Sequence, residues 1–290
     1  MLTRRILLAL LLTVAPAFLH GVAHAQKTFV FTAIPDQDET RLMERFSKVA
    51  TYLHEQLGVE VKYVPVKSYE ASIAAFRNDQ VQMAWFGGLS HVQAVGLVPG
   101  AIAIAQGAED AQFHTYFIAN ASTGLKESDT FPMAMAGKTF TFGAKGSTSG
   151  RLMPEYYIRK YFQKAPEQVF ERVGFSGDHN KTIALVESGA YQVGAVDFTV
   201  WESAVQRGKV DTSKVRVIWK TPAFQDYNFT IRGDLDQRFG AGFTEKLTHA
   251  ILNMNDPALL ATFPRSKIIP AKNSDYQAVY ETAKAIGLLD

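Results

Sequence analysis

Three hydroxyl side chains, Ser147, Thr148 and Ser149, stand in a row between Gly146 and Gly150 in the stretch FGAKGSTSG, residues 142–150. An apolar run, KTFTF, precedes them, and RLMPEYYIRKYF, a helix-like run, follows. Where a strand hands over to a helix, the first backbone N–H groups have no internal partner, and the helix dipole favours negative charge. Short hydroxyls add donors without bulk, and the two glycines let the backbone approach a ligand closely. That chemistry suits an oxyanion. The simpler use of the same stretch is a helix N-cap, for which one serine is enough. Pro154 fits early in the helix and is placed to distort its first turns. Two enzymatic readings fail on spacing. A nucleophile elbow, G-x-S-x-G, has serine at its centre, where this chain has Thr148. The nucleotide loop G-x-x-x-x-G-K-[ST] differs from GAKGST in order and spacing.

Other residues could join such a cradle. In FSGDHNKT, His179 lies in a turn between a strand and a helix, with Asp178 or Asn180 as the cap; the histidine either donates to an anion or sits on the surface. In VGAVDFTVWE, Asp197 closes an apolar strand at its carboxyl end. A carboxylate there is costly unless paired, either with a ligand proton or amino group or with neighbouring backbone and side chains. In MAWFGGLSH, Trp85 and Phe86 end a strand ahead of Gly87 and Gly88, and Ser90 opens the next helix. These aromatics wall a pocket or belong to the core, and Tyr69 in KSYEAS is a similar case. Asp36, Asp38 and Glu39 follow the first strand, where capping the next helix is their expected role. The seven histidines are scattered, without metal-ligand spacing, and no cofactor is implied.

The elements that must position these residues alternate. TFVFTAI reads as a buried strand, and residues 39–57 carry Leu42, Phe46, Val49, Leu53 and Leu57 at helical spacing before Gly58. VEVKYVPV, VQMAWF, HTYFIAN, KTFTF, ERVGF, VGAVDF, VRVIWK and YNFTIR read as further strands, with helices between several of them and a mostly helical tail from about Phe239. Such alternation predicts an α/β fold built on mainly parallel sheets. Residues 59–88 and 171–198 both run strand, polar turn, helix, strand. The echo suggests two similar lobes, although any two such units look somewhat alike. In open α/β sheets ligands sit beyond the carboxyl ends of the strands.

The N-terminus, MLTRRILLALLLTVAPAFLHGVAHAQ, has two arginines, an apolar run and Ala23-His24-Ala25, the layout of a cleaved secretion signal over residues 1–25. Removing it removes two arginines and no acid, which leaves 28 basic and 28 acidic residues. That balance gives no reason to expect a nucleic-acid partner. The chain has no cysteine, hence no disulfide, thiolate metal site or lipid-anchoring cysteine. These features imply a periplasmic protein without a lipid anchor.

Together, LGVEVKYVPVKSYEASIAAFRNDQVQMAWFGGLS, FGAKGSTSGRLMPEYYI, GFSGDHNKTIALVESGAYQVGAVDFTVWE and VRVIWKTPAF resemble the phosphonate/phosphite-type periplasmic binding proteins of ABC transporters. The resemblance covers nearly all the chain after the signal, in order. AIPDQDETR, AWFGG and KGSTSGRLMPEYYI are most similar to a subgroup named for selenate binding. The resemblance implies a type II, two-lobed binding protein with mixed, mostly parallel sheets and two crossover strands as hinge. Lobe one would span 26–118 and 226–290, and lobe two 119–225. It implies a monomer that catalyses nothing, takes a small phosphorus or selenium oxyanion (phosphonate, phosphite, selenate or selenite), and serves an inner-membrane permease. The family's oxyanion cradle falls on Ser147, Thr148 and Ser149, its pocket histidine on His179 and its pocket carboxylate on Asp197. Two positions depart from the family pattern: Phe86 stands where tyrosine is common, and Arg151 where an aromatic is usual. Arg151 either adds donors for a more highly charged anion or faces solvent. An ionised Asp197 facing the ligand would disfavour selenate and favour an anion that keeps a proton. Two alternatives remain on the same residues: an enzyme using His179 as base, and a sensory solute receptor.

Overall fold

The computed structural model describes residues 27–260 and 262–289; the expected secretion signal, residues 1–25, lies outside the described residues. Apolar runs become strands, and amphipathic runs pack over them. Strand β1 (Phe29–Ala33) leads into helix α1 (Glu39–Leu57), whose Leu42, Phe46, Val49, Leu53 and Leu57 form the buried stripe. Asp38 caps α1 by accepting from the Arg41 N–H, and Gly58 ends it at φ 72°. Strand β2 (Val61–Tyr63), α2 (Tyr69–Arg77), β3 (Met83–Phe86), α3 (Gly88–Leu97) and β4 (Ile102–Gly107) complete the first half of lobe one. The chain then builds β5 (Thr115–Asn120), β6 (Thr139–Phe142), α4 (Met153–Phe162), α5 (Pro166–Val169), β7 (Arg172–Phe175), α6 (His179–Glu187), β8 (Val193–Asp197), α7 (Phe198–Gln206) and β9 (Val215–Lys220). It returns through β10 (Asn228–Ile231), α8 (Leu235–Phe239), α9 (Phe243–Leu252), α10 (Pro257–Leu260), β11 (Ile268–Pro270) and α11 (Gln277–Ala285).

Two sheets result, ordered β11-β4-β10-β3-β1-β2 and β7-β6-β8-β5-β9. In each, three parallel strands stand beside one antiparallel strand that the chain inserts from the other half: β10 beside β3, and β5 beside β8. This is the α/β architecture that the alternation predicts, but the sheets are mixed rather than mainly parallel: four strand pairings are parallel and five antiparallel, because β10 and β5 each insert between strands of the other direction. The connections, residues 108–114 and 221–227, run antiparallel, with Phe113 and Phe224 exchanging both backbone hydrogen bonds at 2.9 and 3.0 Å. β5 pairs wholly within the second sheet, so the first crossing precedes Thr115. The C-terminal helix α11 straddles the halves: its Val279 lies beside Gly88, while Tyr276, Val279 and Ala283 join the core around Phe117 and Phe140.

The two echoing segments occupy matching places. β2-α2-β3 flanks β1 as β7-α6-β8 flanks β6. The parallel strands of both sheets therefore end at one cleft.

Candidate anion-binding site

The hydroxyl run is a helix start of unusual form. Ser147 is the N-cap, with extended backbone, and its Oγ accepts from the Gly150 N–H at 2.9 Å. Thr148–Leu152 then forms a π turn before α4. Pro154 explains part of it. Lacking an N–H, it cannot bond back to the preceding turn, and this, with the change from π to α spacing, leaves the carbonyls of Ser149 and Gly150 without helical donors. The Gly150 carbonyl accepts from the Gly143 N–H at 2.8 Å, and that of Ser149 from the Thr115 hydroxyl at 2.8 Å. Packing within the protein already requires both glycines. A Cβ on Gly146 would lie 2.7 Å from the Tyr69 Cβ across the cleft, and one on Gly150 would lie 2.9 Å from the Ser147 Oγ.

Each hydroxyl has a different partner. Ser147 is hydrogen-bonded with the Tyr69 phenol, whose own ionisation is pushed far up by burial. Thr148 bridges the lobes: its Oγ1 accepts from the Leu89 N–H at 3.0 Å, at the start of α3, and the side chain bonds Asp226. The Ser149 Oγ is buried without a protein partner. His179, first residue of α6, is 1 % exposed, and its N–H donates to the Asp36 carbonyl of the facing lobe at 3.0 Å. The His179 Nδ1 accepts from the Asp197 N–H at 3.3 Å. A neutral ring therefore carries its proton on Nε2, a buried donor with no protein partner. The Trp85 indole N–H, on the ring stacked 5.5 Å from Tyr227, is another.

The acids divide by role. Asp197 Oδ1 accepts from the Thr199 N–H, the Thr199 hydroxyl and the Val200 N–H at 2.6, 2.8 and 3.2 Å, so it caps α7. Its Oδ2 accepts from the Tyr227 hydroxyl at 3.1 Å. Of the two roles open to Asp197 in sequence, these bonds are pairing within the protein. Asp226, in the returning hinge segment, accepts from the Gly88 N–H through Oδ1 at 2.9 Å, while Oδ2 is buried and unpartnered. Burial pushes its carboxyl up to about 7, against the pull of Thr148 and Gly88. Asp36 is not the expected cap, a role that Asp38 fills; it is 2 % exposed, has an unpartnered Oδ1, and its carboxyl is raised by burial against the pull of Arg45 3.9 Å away. Asp178, not Asn180, caps α6; Asn180 reaches across to Asp38 at 3.0 Å.

The fold thus brings together Ser147, Thr148, Ser149, His179 and Tyr69, with Asp197 directly behind the histidine. Phe86 and Arg151 stand apart. Phe86 lies in the lobe-one core, edge-on to Phe76 at 5.6 Å. The Arg151 guanidinium pairs with Glu155 and covers the rings of Phe175 and Phe142, 4.7 and 5.2 Å from their centroids. Asp226 and Tyr227, in FQDYNF, escape a sequence reading that takes YNFTIR only as a strand; an acid beside a buried strand is the signal they leave. No group of side chains suited to a metal occurs among the described residues.

A family model described as "ABC transporter, phosphonate, periplasmic substrate-binding protein" matches residues 31–276. A probable ABC transporter phosphite-binding protein of Prochlorococcus marinus is 38 % identical over 261 residues, 88 % of each chain. The solved structure of a Prochlorococcus marinus protein in complex with methylphosphonate superposes with a TM-score of 0.87 at 37 % identity, covering 91 % of this chain and 99 % of that one. The phosphonates-binding periplasmic protein of Escherichia coli is 25 % identical over 213 residues, 69 % of this chain and 60 % of that one.

Proposed function

Because the chain belongs to the family of periplasmic substrate-binding proteins of phosphonate ABC transporters, we propose that its ligand is a small phosphorus oxyanion of the phosphite or methylphosphonate kind, captured between the lobes for delivery to a permease. The observation that carries this reading is Asp226 Oδ2, an unpartnered buried carboxylate oxygen on an acid with a pKa of about 7, on the residue that Thr148 binds. Ser149 Oγ and His179 Nε2 supply neutral donors, and the start of α6 adds favourable dipole. Neutral donors suit a transported anion, since they hold it without a full countercharge. Asp226 reads protonation. Phosphite and alkylphosphonates lose their last proton near neutrality, as phosphate monoesters do. One proton is then held between ligand and carboxylate throughout the neutral range. Selenate brings no such proton, so Asp226 must itself be protonated to accept it, which fails as pH rises through about 7. Selenite, which keeps a proton, ranks between them.

Calorimetry with phosphite, methylphosphonate, selenite and selenate tests this. Phosphite and methylphosphonate should bind at least tenfold more tightly than selenate at pH 8. Asp226→Asn should weaken them about 10- to 100-fold, in keeping with about 1.5–3 kcal/mol for a hydrogen bond to a charged group. Tight selenate binding at pH 8 that Asp226→Asn leaves unchanged would sink the reading.

A further inference from the structure

Two of the cavities along the cleft rim among the described residues differ in charge. One, of about 440 Å³, reaches from Pro65 to Lys181 and is lined by four carboxylates and three lysines. The other, of about 380 Å³, lies between α1 of lobe one and α7 of lobe two. It is lined by Arg41, Arg45, Lys48 and Arg207, with Glu44 as its only acid. Three of these cations are answered locally: Arg41 by Asp38 at 3.0 Å, Arg45 by Asp36 at 3.9 Å and Lys48 by Glu44 at 3.2 Å. Arg207, the residue that closes α7, has no ion pair among the described residues. It nonetheless faces the arginines of the opposite lobe: its guanidinium is held below its usual value by partial burial and then by Arg41 and Arg45, against the weaker pull of Asp38. Closing the lobes therefore brings an unneutralised arginine against two others.

We propose that this rim cavity is a second anion site, for a divalent tetrahedral oxyanion of the sulfate or phosphate class, distinct from the cradle and selective for the closed form. The donors fit such a ligand. Arginine forks match oxyanion edges two N–H groups at a time, and Lys48 adds a mobile point charge. The selectivity follows from topology. Arg41, Arg45 and Lys48 ride on α1, and Arg207 on α7, so the set assembles only when the lobes meet. An anion bound there replaces repulsion across the cleft with attraction. A ligand that binds one conformation better shifts the population toward it, and the coupling to the cradle is reciprocal. The site is separate from the cradle because Arg45 is turned to Asp36 and to the Thr262 carbonyl at 2.7 Å, which places that ion pair on the cavity's inner side.

Thermal unfolding tests this with sulfate as the probe, at millimolar concentration and fixed ionic strength, where its general salting effect is small. Sulfate should raise the midpoint saturably by about 2 °C or more, the size expected for a site that contributes roughly 1 kcal/mol in a chain this long. Arg207→Gln, an exposed change outside the cradle, should abolish the rise, and Lys48→Gln should reduce it. Ser149→Ala should leave it intact, which separates this site from sulfate entering the cradle. With methylphosphonate present, sulfate should lower its Kd several-fold in the wild type and not in Arg207→Gln. A rise that survives Arg207→Gln, one that disappears with Ser149→Ala, or no rise at all would overturn the proposal.

Discussion

The two lobes use one plan and fill it differently. Tyr69 and His179 are each the first residue of the helix in their βαβ unit, each behind a cap, Ser68 or Asp178, that accepts from a backbone N–H three residues on. Both side chains are buried at the cleft. One is a phenol committed to Ser147; the other is an imidazole with a free N–H. The following strand-to-helix turns differ more. In lobe two, Asp197 caps its own helix, taking the Thr199 and Val200 N–H groups. In lobe one the equivalent residue is Gly87, which has no side chain to cap with. The first α3 amides are instead satisfied by Asp226 from the hinge and by Thr148 from the facing lobe. One helix is capped privately; the other takes one partner from the hinge and one, Thr148, from across the cleft. Closure and recognition thus share the same hydrogen bonds.

That contrast predicts opposite signs for two acid-to-neutral changes. Asp226 has a folded pKa of about 7 against an ordinary value of 3.8, so the folded state holds its proton more tightly than the unfolded chain. The stability this gives is fully present below about 4 and is lost as pH rises through about 7. At pH 8 the ionised carboxylate costs the closed fold on the order of 4 kcal/mol, from the shift at 1.36 kcal/mol per unit. Asp226→Asn should remove that cost, making the ligand-free protein more stable at pH 8 than the wild type, with a flatter profile between pH 4 and 8 in urea unfolding. Asp197→Ala should do the reverse. It removes a cap worth about 0.5–2 kcal/mol and strands a buried Tyr227 hydroxyl at a further 1–3 kcal/mol, so stability should fall by about 2–4 kcal/mol. Methylphosphonate affinity should change little, because the Asp197 backbone N–H, which fixes the His179 tautomer, is kept. A large affinity loss in Asp197→Ala with unchanged stability would reverse the two roles.

The same contrast marks where sequence suffices. Strand and helix order, the doubled βαβ unit and the hydroxyl run are all local, since each rests on periodicity or on a short motif beside a helix start. His179 is legible because its turn lies between a strand and a helix. The identity of the reading acid is not local. Asp197 stands out because it closes an apolar strand, yet the partners of its Oδ1, in Thr199 and Val200, are two and three residues away. Asp226 looks unremarkable in FQDYNF, and its partners, Gly88 and Thr148, lie 138 and 78 positions back along the chain. Only the crossing of the hinge brings them together. Asp36 fails for a related reason: of two acids before α1, nothing local says which one caps and which turns into the cleft.

Among the hydroxyls, the contrast between free and committed groups sets an order. Ser149→Ala removes the one donor of the three that has no protein partner and should weaken methylphosphonate binding by about 1–3 kcal/mol. Ser147→Ala removes a cap and the Tyr69 contact, so about 0.5–2 kcal/mol should appear in stability as well as in affinity. Equal affinity losses with equal stability losses in both would mean that Ser149 is as structural as Ser147.

The smallest effect is expected at Arg151, and it carries the most information about the run's edge. If the guanidinium completed the cradle, removing it would cost more than any single hydroxyl, since a charged donor to an anion is worth about twice a neutral one. Its position speaks otherwise. The charge is answered by Glu155, which also binds Arg159 at 2.7 Å, and its flat face covers Phe175 and Phe142 on lobe two. Arg151→Gln should therefore leave methylphosphonate affinity within about twofold and lower stability by about 0.5–1 kcal/mol, the range for a cation held over aromatic rings near the surface. Calorimetry and urea unfolding on one sample separate the two. A tenfold loss of affinity at unchanged stability would place Arg151 in the cradle, and would mean that the side chain leaves Glu155 when the anion arrives.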